Sequence, residues 1–304
     1  MNKIKIMVLL IFTMALFFIG DVKSVGASEE AETEKYVIID AKSGKEKNID
    51  LSNSIYDVQS FQSHSSLLDD KTALYNNNCI ETHSILGEDT RQPVADSSIM
   101  PYRAIARLDI TLQDGRKTYG SGALIANKLF ATAGHVIVDN GNLPKAVTLE
   151  FGKNASKVYY TTSDIKEYIL RSDYRTNPTH EGDYAFIVLN NGLGDKTGFF
   201  GIESSISVGT TMFTAGYPQD KGGKAMYMSQ GEIKKVEADR VYYDADTIGG
   251  QSGSPVYIKK NGKIYIVAIH TVGTNSPNEI GATNGGRRIN ASLCAWLRDN
   301  GYLN

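Results

Sequence analysis

The chain has 304 residues, with 34 acidic side chains against 32 basic ones. That near balance gives no electrostatic reason to expect nucleic acid or an anionic membrane as a partner. The two cysteines, Cys79 and Cys294, are too few for a disulfide framework and form no Cys/His cluster of metal-binding type, so stability must come from an apolar core.

The first element is a targeting segment. Lys3 and Lys5 precede an almost unbroken apolar run from Ile6 to Ile19, and Val25, Gly26 and Ala27 supply small residues before Ser28. The pattern predicts a signal peptide over residues 1–27, cleaved after Ala27, and hence secretion to the extracellular space. The apolar run is shorter than the roughly 20 residues that a membrane anchor needs. Residues 28–83 then carry 11 acidic against 5 basic residues, whereas residues 84–304 carry 22 against 24. This contrast predicts a detachable acidic propeptide over 28–83, weakly ordered apart from a strand at "KYVIID" (Lys35–Asp40); the other reading is a small N-terminal domain that stays attached. The near-neutral body of 221 residues is large enough for one sizeable domain or a pair of barrels.

Beyond residue 100, short runs rich in Tyr, Val, Ile and Thr alternate with glycine-containing turns, among them "YRAIARLDITL", "YGSGALIANKLFATAGHVIV", "DYAFIVLN" and "SPVYIKKNGKIYIVAIHTVG". Such spacing predicts an all-β sandwich or barrel. Asn261 and Gly262 suit the positive backbone angles of a hairpin turn. One helix is expected at the end, in "NASLCAWLRDNG", capped by Asn290 or Ser292 and stopped by Gly301.

Chemistry concentrates at "DTIGGQSGSPVY" (Asp246–Tyr257), where Ser252 stands among glycines. A serine nucleophile needs a base. His135, in "ATAGHVIVD" at the end of an apolar strand, can supply it; His64 and His83 fall in the leader. Asp183 opens the apolar strand "DYAFIVLN", where a carboxylate is costly unless it meets a partner such as His135. The backbone N–H groups of Gly250 and Ser252 are the candidate oxyanion donors for acyl transfer. Each signal alone is unspecific, since a G-x-S-G tetrapeptide often only turns the chain. His135, Asp183 and Ser252 together, in that order on an exported all-β chain, are far more specific.

The blocks "ATAGHVI", "GDYAFIVL" and "DTIGGQSGSPVY" resemble the active-site blocks of the glutamyl endopeptidases, chymotrypsin-fold serine proteases secreted by bacteria and related to staphylococcal serine protease. "SILGEDTRQPV" (Ser84–Val94) is similar to the mature N-terminus of bacillary members, and "PYRAIARL", "AGYPQDK", "AIHTVG" and "GGRRIN" also fit. The resemblance covers roughly residues 84–300. It implies two six-stranded antiparallel β-barrels with a C-terminal helix, synthesis as a zymogen, and cleavage of protein or peptide substrates after Glu, less often Asp. It implies His135 as general base and acid, Asp183 as its orienter, Ser252 as nucleophile, and Thr247 and His270 as the substrate-binding residues. Asp246, one residue before Thr247, is expected to point away from the substrate. A monomer without cofactor or metal is expected. Two other readings fit the same residues: a toxin-like relative with narrow substrate choice, and an inactive secreted binding protein on the same fold. Whether Cys79 and Cys294 pair is open.

Overall fold

A computed structural model describes residues 34–50, 85–273 and 282–303. The expected signal peptide, His64, Cys79, His83 and Ser84 lie outside the described residues, as does most of the expected propeptide. Among the described residues, seventeen strands account for most of the regular structure.

The first sheet holds nine of them: β1 (Lys35–Asp40) and β2 (Glu46–Asp50), then, after the short β3 (Gln92–Pro93), β4 (Ile105–Thr111), β5 (Lys117–Ala126), β6 (Leu129–Thr132), β7 (Ala146–Phe151), β8 (Tyr160–Thr162), β9 (Ile165–Arg171) and β10 (Ala185–Leu189). Their order across the sheet is β2-β1-β9-β10-β6-β5-β4-β7-β8, with every pairing antiparallel. The second is built from β11 (Gly201–Ile202), β12 (Thr211–Gly216), β13 (Tyr227–Val236), β14 (Arg240–Tyr243), β15 (Pro255–Lys260), β16 (Lys263–Gly273) and β17 (Asn284–Arg288), with β3 on the flank of β13. Because β16 pairs with β17 as well as β15, strands β12 to β17 close into a six-stranded barrel.

The expected pair of barrels is therefore realised unequally. The second ring closes by hydrogen bonds, while the first remains an open ladder whose β9 edge is occupied by β1. Here residues 35–40 depart from the weak order expected of the proposed propeptide. "KYVIID" is a strand, as expected, but it is also part of the core: Tyr36, Val37 and Ile39 are buried.

The local readings hold where short-range chemistry decides them. Asn261 and Gly262 both have positive φ, 53° and 70°, and join β15 to β16 as the tight turn that Asn-Gly favours. Of the two cap candidates it is Asn290 that caps the final helix, α3 (Ala291–Asp299), its Oδ1 accepting from Leu293 N at 3.0 Å. Two shorter helical turns, α1 (Gly134–Ile137) and α2 (Gly194–Thr197), precede it. All five residues of β10 are buried, so both faces of that strand pack against apolar neighbours. Met212, Ile233, Val241, Val256 and Val267 fill the closed barrel. Helix α3 adds Leu293, Trp296 and Leu297 to the core of the first sheet. Cys294 is buried and has no disulfide partner among the described residues, its thiol pushed up to about 12 by burial.

Candidate active site

The edge of β6 carries the chain into α1, and His135 is the second residue of that turn. Its ring is partly exposed (42%), whereas the Asp183 carboxylate is almost covered (7%). Asp183 Oδ2 lies 2.8 Å and Oδ1 3.1 Å from His135 Nδ1, and Oδ1 also accepts from the His135 backbone N–H at 2.9 Å. A fourth contact comes from a residue that the sequence did not single out: Tyr174 O–H donates to Oδ1 at 2.9 Å. Burial alone would raise the Asp183 carboxyl, but bonds from the His135 ring and backbone and from Tyr174 outweigh it and hold the pKa below its ordinary value. Gly134 makes room for this arrangement, since a Cβ there would lie 2.6 Å from the Tyr174 ring.

Ser252 is half-buried on the loop between β14 and β15. Two of its neighbouring glycines are dictated by geometry. Gly250 and Gly253 have φ of +89° and +88°; a Cβ on Gly250 would lie 2.5 Å from Tyr217 O, and one on Gly253 would lie 2.0 Å from Ser121 O. The loop thus presses against β5 so closely that side chains are excluded. The N–H groups of Gln251, Gly253 and Ser254 are tied inward to the carbonyls of Ile248, His270 and Gln251. Those of Gly250 and Ser252 have no acceptor among the described residues. Two backbone donors are left free on either side of residue 251, as an oxyanion site requires.

Ser121 joins the first sheet to this loop. Its N–H donates to Ser252 O at 2.9 Å, its Oγ donates to Gly250 O at 2.8 Å and accepts from Tyr217 N at 3.0 Å, and its carbonyl accepts from Thr132 Oγ1 at 2.8 Å. A Cβ on the adjacent Gly120 would lie 2.6 Å from Val136 Cγ1 and 3.3 Å from Ser252 O, so the turn bearing His135 and the loop bearing Ser252 flank one glycine. The structure therefore brings His135, Asp183, Gly250 and Ser252 to one seam. No hydrogen bond joins His135 to Ser252 Oγ in this resting geometry.

The two expected pocket residues sit on the barrel side of the seam. His270, on β16, exchanges backbone bonds with the nucleophile loop: its carbonyl accepts from Gly253 N at 2.7 Å and its N–H donates to Ser254 O at 2.9 Å. Its ring is held by Tyr243 O–H, 2.6 Å from Nδ1. Burial, with the His135 charge a lesser cause, brings the His270 pKa down to about 4, so the ring is neutral near pH 7. Thr247 is fully buried, and its Oγ1 has no hydrogen-bond partner among the described residues. Asp246 is turned away from them, as expected. Its carboxylate accepts from Leu86 N at 2.7 Å, Thr90 N at 2.8 Å and Thr90 Oγ1 at 2.6 Å, anchoring the start of the body.

Comparison with known proteins agrees with this geometry. The trypsin-like peptidase domain family matches residues 120–269, a span that contains His135, Asp183, Thr247 and Ser252. A solved structure of a Glu endopeptidase in complex with MPD superposes with a TM-score of 0.61 at 26% identity, covering 71% of this chain and 98% of that one. Residues 120–269 form a trypsin-like peptidase domain, within a chymotrypsin-like fold. Within curated proteins it is 34% identical over 199 residues to a glutamyl endopeptidase of Bacillus licheniformis, covering 62% of this chain and 61% of that protein. It is also 32% identical over 207 residues to a Bacillus subtilis protein named extracellular metalloprotease, covering 66% of each. The match thus spans less than two thirds of the length of either relative. Among the described residues no three His, Cys, Asp or Glu side chains converge as a metal site would need.

Sequence reading missed Tyr174, Ser121 and Tyr243. Tyr174 stands in the polar stretch "RSDYRTNPTH" and carries no local signal. Ser121 did carry one: like Ser252, it lies between glycines, in "YGSGALIA".

Proposed function

We propose that the protein is a secreted serine endopeptidase that hydrolyses peptide bonds through an acyl-enzyme and cuts preferentially after glutamate, less often after aspartate. The observation that carries this reading is the His135–Asp183 pair at 2.8 Å, across one glycine from a serine loop with two unpartnered N–H groups. His135 Nε2 takes the proton of Ser252 Oγ as the oxygen attacks the substrate carbonyl carbon. The N–H groups of Gly250 and Ser252 hold the oxyanion. When the C–N bond breaks, His135 passes that proton to the departing amine. Water then attacks the ester, again giving a proton to His135, which returns it to Ser252 as the acid product leaves. Asp183 stays ionised throughout and steadies the imidazolium. The His135–Ser252 bond, open at rest, forms as substrate fills the seam.

The preference for Glu is supported by the chemistry of His270 and the unpaired Thr247 hydroxyl, and by the name of the B. licheniformis relative. Tyr243 holds Nδ1 of His270, and in this reading Nε2 meets the substrate carboxylate. That carboxylate in turn favours the protonated ring. In this reading residues 1–27 direct export, residues 28–83 form the propeptide, and the mature body begins near Ser84 and acts as a monomer on protein or peptide substrates.

The test is labelling by a serine-directed fluorophosphonate, followed by assay of matched peptides with Glu, Asp, Gln, Phe or Lys before the scissile bond. The expected result is one label on Ser252, absent from Ser252→Ala, and fastest cleavage of the Glu peptide. No labelling would overturn the protease reading, and would favour a binding protein on this fold. Equal cleavage of Glu and Gln peptides would overturn only the specificity. A single cleavable protein among many tested would favour the toxin-like reading.

A further inference from the structure

The hairpin β1–β2 lies upstream of the proposed maturation point, yet its contacts are those of an integral strand pair. Strand β1 runs antiparallel along β9, from Tyr36 opposite Arg171 to Asp40 opposite Glu167. The ladder is extended at both ends by Ser172 N donating to Lys35 O (2.8 Å) and Ala41 N donating to Lys166 O (2.9 Å). Tyr36 is fully buried and stacks on Trp296, ring centroids 4.0 Å apart at 24°. Its O–H donates to Glu34 Oε2 at 2.5 Å. The other Glu34 oxygen meets Arg287 Nη2 at 2.8 Å. Arg287 has a fully buried side chain and lies over the ring of Tyr184 at 4.9 Å; its one other carboxylate partner among the described residues is Asp239, at 2.9 Å.

Without the hairpin, the body would expose the β9 edge, the face of Trp296 and a guanidinium that has lost one of two carboxylates. An open edge invites pairing with foreign strands, and a buried charge stripped of a partner is strongly destabilising. The outer strand β2 is a fitting cover: Glu46, Lys47 and Asn48 are exposed along it, and the edge it presents is charged. No hydrogen bond or ion pair joins residues 34–50 to His135, Gly250 or Ser252, so the hairpin covers the sheet and not the seam.

We infer that the β9 edge, with Trp296, Tyr184 and Arg287, is a binding site for the protein's own leader hairpin, and that residues 34–50 stay bound after the chain is cut. The mature protein is then a two-chain particle, held by strand addition and one buried ion pair. This rests on the proposed cut between hairpin and body, so the test makes that cut deliberately.

The recognition sequence of a site-specific viral protease is inserted between residues 60 and 61 of the full chain, in a Ser252→Ala background that prevents self-cleavage. The break leaves Cys79 on the body side, so a Cys79–Cys294 disulfide could not retain the leader. After cutting, gel filtration and native mass spectrometry at micromolar concentration are expected to give one particle with the mass of both pieces. Tyr36→Ala, cut after folding, is expected to weaken retention about 100-fold or more, as for a buried aromatic truncation. Tyr36→Phe keeps the stack and loses only the Glu34 bond, and is expected to weaken it about 10-fold. Separation of the unaltered pieces on cutting, with an unchanged melting midpoint for the body, would overturn the inference. N-terminal sequencing of the secreted wild type reports separately on whether the natural cut occurs.

Discussion

The two histidines of the seam make an instructive pair. His135 is partly exposed, faces a buried carboxylate, and sits on a one-turn helix of the open first sheet. His270 is buried, faces a phenol, and sits on a strand of the closed barrel. In the proposed mechanism the Asp183 carboxylate steadies positive charge on the His135 ring. His270 is buried beside a tyrosine hydroxyl that brings no charge, and burial keeps its ring neutral near pH 7. One residue type thus meets two different chemical settings because its partners differ.

The largest test of this contrast is to remove the chemistry on one side. Ser252→Ala and His135→Ala should each lower kcat by about 10⁴-fold or more, and the double variant should be little worse, because the residues act as a unit. Asp183→Asn should approach the same loss. Steady-state kinetics on one peptide, with circular dichroism to verify folding, checks all four. If Ser254→Ala is inactive while Ser252→Ala is active, the nucleophile is misassigned.

The second test is acid. His270 binds a proton in the unfolded chain below about 6.5 but in the folded protein only below about 4. Over that window the unfolded state holds more protons, so stability falls with falling pH, by roughly 3 kcal/mol in all. Asp183 has the opposite charge type but the same sign of effect: its depressed pKa stabilises above the ordinary carboxylate value and is lost as pH falls through the folded one. Urea titrations from pH 7 to pH 4 should show the decline. His270→Gln should flatten the part above pH 4 whatever it does to absolute stability.

The pocket comes third. Thr247→Val and His270→Ala should reduce kcat/KM for a Glu peptide by about 10- to 100-fold, one charge-assisted bond each, and for a Phe peptide far less. Equal losses on both peptides would mean that these residues support the loop and not the substrate. The smallest effect belongs to Tyr174→Phe. It removes one of the bonds to Asp183 and should cost about 1.5–3 kcal/mol of stability, with a modest fall in kcat and KM unchanged. A change in KM alone would place Tyr174 with the substrate.

These residues also mark what is legible in the sequence alone. Ser252, His135 and Asp183 each stand in a local setting with its own chemical demand: glycines that permit close backbone approach, a strand end, and a carboxylate opening an apolar strand. The Asn-Gly turn and the Asn290 cap are legible for the same reason, since a few adjacent residues determine them. Tyr174 was not legible, because its meaning depends on a carboxylate nine positions away that only the fold brings near. Ser121 showed its glycine neighbours but not its partners in the Ser252 loop, which lie 129 and 131 residues downstream.

The acidic segment proposed as a leader is the plainest case. Composition and charge set residues 28–83 apart from the body, and the alternation of "KYVIID" suggested a strand. Neither could say that this strand would occupy the β9 edge and leave the first ring open, because strand pairing across more than a hundred residues is decided by which edge is free and which apolar face is bare. Sequence determined the reacting groups and the local turns, where the physics is short-ranged. Tertiary structure alone decided what surrounds each group: the phenol at His270, the hydroxyl under Asp183, and the leader against Trp296. Burial and partnership are properties of the packed chain.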